Sequence, residues 1–151
     1  MNATIELLLH YVASIEYRFL KAIKNCDPSY FTFEWGQGVR SPIAILNHMN
    51  HVMEYAIQHL LEPWPTNLAV PEPLDWEREV NRFQDQLNKL RAMLKDRQDS
   101  SVDSLKIILQ GPLSDVMTHI GQLAMLQRVN GHPIPKENFM KAAIHSKPKK
   151  D

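Results

Sequence analysis

Four long stretches of the chain place apolar residues every three or four positions, and none alternates apolar with polar as a half-buried strand would. Such a chain has to pack helix on helix, because each stripe leaves water only by covering another. The first stripe is Ile5, Leu8, Val12, Ile15, Phe19 and Ile23, which predicts a helix over about residues 3–25 that Asp27-Pro28 ends. Four such helices, each with one apolar face, predict an all-α bundle. Connections this long do not force a simple up-down-up-down order.

Local signals set the remaining boundaries. Ser41 followed by Pro42 is an N-cap and first-turn pair, opening a second helix that runs to about Glu62, before Pro63 and Pro65. Pro63, Pro65, Pro71 and Pro73 make the next connection stiff and extended. Asp75 caps a third helix with the stripe Trp76, Val80, Phe83, Leu87, Leu90 and Leu94, its other faces polar. SLKIILQ predicts a short helix, which Gly111-Pro112 breaks or kinks before a fourth begins. Asn130-Gly131 ends the fourth with a left-handed cap. A last short helix is expected near residues 137–144, ahead of a solvated basic tail at 146–151. The connection holding Tyr30, Phe31, Phe33 and Trp35 is too aromatic to stand free and is expected to pack on the bundle.

The 151 residues suit one domain, residues 1–145. Seventeen basic residues balance seventeen acidic ones, so no global field draws nucleic acid or acidic membranes. The N-terminal LLL run is too short for a signal sequence, and no run approaches the ~18 apolar residues of a membrane span. The lone Cys26 excludes an internal disulfide and suits a reducing compartment. Together these predict a cytoplasmic protein.

Helical phase locates the polar residues that matter. At about 100° per residue, Asp115, His119 and Gln122 fall within roughly 60° of one another, with Leu126 in the same arc. Arg128, Gly121, Ser114 and Thr118 mark the opposite side. On the second helix His48, Val52, Tyr55 and His59 share an arc of roughly 40° beside the apolar face. Asn47, Asn50, Glu54 and Gln58 mark the wet side, with His51 at the boundary. His10 and His59 are expected to be partly exposed or hydrogen-bonded within the bundle. Met49, Met53, Met117 and Met125 are expected as core filler.

Asp115 and His119, at i and i+4, can hold one ion without distorting the helix. His48 adds a second imidazole, giving a set suited to a divalent transition metal with open positions. Gln122 would orient a ligand or face a bound water, and Tyr55 would line the pocket. The alternative is an Asp115–His119 ion pair with His48 hydrogen-bonded to it. No G-x-S-x-G elbow, phosphate-cradling glycine loop or C-x-x-C pair competes.

At SPIAILNHM and THIGQLAMLQRVNGHPIPKENF the chain resembles the DinB-like superfamily, which includes the YfiT-like metal-dependent hydrolases. The resemblance implies a four-helix bundle of up-down-down-up order with a metal pocket at one end. It implies zinc, nickel or iron held by three histidines, one on the second helix and an H-x-x-x-H pair on the last. His48 and His119 match two of these, and Asp115 stands where the family has its middle histidine. That carboxylate lowers the net charge of a divalent site from +2 to +1 and makes a bound water less acidic. Relatives include thiol S-transferases and a mycothiol-dependent isomerase, so the resemblance implies a small-molecule enzyme of hydrolase or transferase type, and allows a homodimer. The other functional expectation is a non-catalytic binding or stress-response module with a degenerate site.

Overall fold

A computed structural model describes residues 2–62 and 64–145, and they are helical with no strand among them. The elements are α1 (Ala3–Ile23), α2 (Pro28–Phe31), α3 (Pro42–Leu61), α4 (Trp76–Asp96), α5 (Val102–Ile108), a π-helical turn (Leu109–Leu113), α6 (Ser114–Val129) and a 3-10 turn (Phe139–Lys141). Residue 63 and the basic tail at 146–151 lie outside the described residues. No helix among the described residues is long and apolar enough to cross a membrane.

The caps form as the sequence predicts. Ser41 Oγ accepts from Ala44 N and Asp75 Oδ1 from Arg78 N, each closing a free first-turn N–H. The helix ends are shorter than expected at one place: α1 stops at Ile23, and Asn25 turns the chain with φ 57. Asp27 then caps the short α2 instead of merely ending α1.

α3 packs against both α4 and α6, and so does α1. Their stripes meet in one core, where Phe19 lies edge-on to Phe83 at 4.5 Å. The aromatic connection packs down as expected. Tyr30 of α2 is fully buried and donates its hydroxyl to Leu123 O at 2.8 Å, while Phe31 stacks on Trp76 at 4.6 Å. Met49 and Met53 fill the core, but Met125 does not: it is exposed on α6.

Two expectations fail here, each for a physical reason. Asn50 is fully buried rather than wet, and it donates to the equally buried Glu79 Oε2 at 2.7 Å. Glu79 Oε1 also accepts from Asn47 Nδ2 and from Leu74 N, both at 2.9 Å. With the Arg82 guanidinium also 3.5 Å from Oε2, a carboxylate met by four donors, one of them charged, can enter an interface that would reject it alone. The rest of that α3 face is covered by the proline-rich connection. Asn47 reaches Pro71 O, His51 reaches Leu68 O, and the Tyr55 hydroxyl accepts from Leu68 N, a ladder at i, i+4 and i+8.

The second concerns Gly111-Pro112, expected to break or kink the helix before a fourth begins: the helix does not break there. Pro112 lacks the N–H that Ile108 O would accept and its ring crowds that carbonyl. The chain widens into the π turn instead, with Leu109 O accepting from Ser114 N and from Ser114 Oγ at 2.6 Å. α5 thus passes directly into α6. The last segment forms only the 3-10 turn, not a helix over 137–144.

Candidate metal centre

α3 and α6 lie side by side, and on that seam the structure brings together His48, Asp115 and His119. The apolar neighbours of His119, Val116, Ile120 and Leu123, are buried, which pulls its face inward. His119 is itself buried, His48 is part-buried, and Asp115 stands at the rim with its side chain 47% exposed. Phase allows Asp115 within the apolar sector or at its margin, and the structure puts it at the margin.

One ligand atom from each residue lies within 4.8 Å of the others. His119 Nε2 is 3.3 Å from Asp115 Oδ1, and His48 Nε2 is 3.8 Å from Asp115 Oδ2. The two imidazole rings stand 4.7 Å apart and nearly perpendicular, at 85°. Two ligands about 2.1 Å from a tetrahedral ion sit about 3.4 Å apart; the His119–Asp115 separation matches that, and the His48–Asp115 one, made to the other carboxylate oxygen, is wider.

Gln122 bears on the proton of His119. Its Oε1 lies 2.8 Å from His119 Nδ1. With the amide oxygen toward the ring, Nδ1 is the donor and Nε2 is turned to Asp115. Nε2 and the carboxylate can then meet through a shared proton or a cation. Holding the distal N–H of an imidazole in this way is how proteins orient a metal-binding histidine. Gln122 itself is exposed, not core-facing as its phase suggests, and only its amide oxygen reaches the site.

Burial holds the His48 pKa below the usual histidine value, Arg40 and His119 push it the same way, as does His51, and Asp115 opposes them. A neutral imidazole is the ligand form. Arg40 was not singled out by phase, since it precedes the α3 cap and belongs to no stripe. Tyr55 lines a shallow depression with Asp115, Val52, Pro112 and Thr118, although its hydroxyl is turned to Leu68. His10 is exposed on α1, and His59 is buried beside Ser104 on another part of the α3 surface.

The donor set could thus hold a metal ion: two imidazoles, one carboxylate and an open side at the exposed rim. No protein-family model, no curated protein and no solved structure matches the chain.

Proposed function

We propose that the chain is a DinB-like metal-binding protein, a four-helix bundle of up-down-down-up order that acts on a small molecule through a divalent ion. The carrying observation is the convergence of His48 from one helix with Asp115 and His119 from another. The packing of α1 and α3 each on both α4 and α6 supports a four-helix arrangement. Three protein ligands leave positions for water or a substrate atom, and a bound ion would polarise an oxygen or thiolate placed there, the chemistry of a hydrolase or thiol S-transferase. His48 and His119 supply neutral donors, Asp115 supplies the charge, and Gln122 fixes the His119 ring. Elemental analysis of protein purified without added metal tests this. A stoichiometric transition metal that is lost in Asp115→Ala is expected, and no metal above background in either protein sinks the proposal.

The half-exposed Asp115 favours a second reading, a metal-free binding module. At 3.3 Å from His119 Nε2 its carboxylate forms an ordinary salt bridge if the imidazole takes a second proton, with no ion required. A melting temperature indifferent to zinc, nickel and iron supports that reading over the first.

A further inference from the structure

A second pocket of about 140 Å³ lies further along α3, walled by Tyr55, His59, Trp64, Ile107, Ile108 and Pro112. Its polar wall atoms already have partners. His59 Nδ1 accepts the Trp64 N–H at 3.3 Å, so the ring proton is on Nε2, which donates to Ser104 Oγ at 3.2 Å. The Tyr55 hydroxyl is held by Leu68 N at 3.2 Å. What remains to face a ligand is aliphatic and aromatic surface.

Trp64 is held in an unusual state to make one wall. Its φ is 62, a left-handed conformation that a bulky residue rarely adopts, and its ring stands edge-on to His59 at 5.7 Å. Apolar cavities of about 150 Å³ admit a benzene ring, so size and chemistry agree.

The pocket is also joined to the metal centre. Tyr55 and Pro112 line both this pocket and the depression that contains Asp115. Ile108 precedes Asp115 by seven residues and His48 precedes Tyr55 by seven, each about 10 Å of helix.

We propose that this pocket seats an apolar, benzene-sized end of the same small molecule whose polar head coordinates the ion, the two ends about 10 Å apart. This rests on the metal-centre reading and specifies its substrate class: a two-ended molecule with a chelating head, a short spacer and an aryl or branched alkyl end.

Three probes separate the two ideas on the intact chain. Acetohydroxamate offers the head alone, 4-phenylbutyrohydroxamate adds spacer and ring, and benzyl alcohol offers the ring alone. By calorimetry on zinc-loaded protein, the phenyl chelator is expected to bind at least about tenfold more tightly than acetohydroxamate. Ile107→Trp fills the pocket from its half-buried edge and should erase that difference while leaving acetohydroxamate unchanged. Trp64→Ala, at an exposed site, should weaken the phenyl chelator in the same selective way, and serves if Ile107→Trp misfolds. On metal-free protein, benzyl alcohol should shift the amide resonances of Trp64, Ile107 and Ile108. Zinc retained with equal affinity for both hydroxamates overturns the pocket assignment and leaves the metal centre standing. Failure to retain zinc overturns the metal centre and the two-ended ligand with it.

Discussion

His48 Nε2 and Asp115 Oδ2 stand 3.8 Å apart across the α3–α6 seam, too far for a hydrogen bond and close to the separation of two ligands on one ion. That distance suits a loose ion pair or two ligands on one metal, and added metal tells the two apart.

Metal should therefore stabilise the fold by linkage. Zinc at a hundredfold excess over its Kd adds about 2.7 kcal/mol, which for a chain of this size raises Tm by about 5–10 °C. Asp115→Ala and His48→Ala should each remove the rise without lowering the metal-free Tm by more than about 2 °C. Differential scanning calorimetry with and without zinc reads both numbers. An unmoved wild-type Tm would leave only the salt bridge.

Gln122→Ala should weaken metal binding by about 10- to 100-fold through loss of the Nδ1 partner of His119. Because Gln122 is exposed, helicity and the denaturant midpoint should hold. Competition against a chromophoric chelator measures the affinity. A value within twofold of wild type would show that the His119 ring is oriented by packing alone.

Glu79→Ala should destabilise the protein by about 3–5 kcal/mol, a loss measurable by urea titration. It removes one of the two acceptors of the buried Asn50 amide, strands the Leu74 N–H, and leaves Arg82 without its carboxylate at 3.5 Å. A loss below about 1 kcal/mol would mean that water enters the α3–α4 seam and replaces the carboxylate.

The C-terminal segment should be docked only between two pH limits. Tyr17 donates to Glu137 Oε1, and Lys21 stands 3.4 Å from Glu137 Oε2. That hydrogen bond holds the Glu137 pKa below its usual value and the Tyr17 pKa above its own. The depressed carboxyl contributes its stabilisation above the ordinary glutamate value and loses it as pH falls through the lowered one. The raised hydroxyl contributes below the ordinary tyrosine value and loses it as pH rises through the higher one. Hydrogen exchange at Phe139–Lys141, compared with Tyr17→Phe after correction for intrinsic rates, should show extra protection in wild type only inside that window. Identical exchange in the two proteins across pH would detach the segment from this contact.

Much of the architecture is legible residue by residue. Ser41-Pro42 and Asp75 announce α3 and α4, and phase alone turns His48, Asp115 and His119 toward a common seam. What escapes is whatever depends on a neighbour from elsewhere in the chain. Asn50 reads as wet on its own helix because its partner Glu79 lies on another, and neither residue is apolar. His51 and Tyr55 bond to a connection whose path no periodicity describes. Gln122 shows a different limit, since phase fixes where a Cα points but a three-carbon side chain can lean back from an exposed position. Gly111-Pro112 reads as a break or a kink because proline usually makes one, and nothing local shows that a wider turn can absorb it.

That wider turn makes the centre sensitive to how Leu109–Leu113 is wound. It carries one residue more than an α-helical turn, so the extra residue is absorbed there and α6 keeps the face it shows to α3. Rewound as a regular α-helical turn with no residue lost, the same segment would swing Asp115 and His119 by about 100°. His48, on α3, would be left facing a different edge of α6.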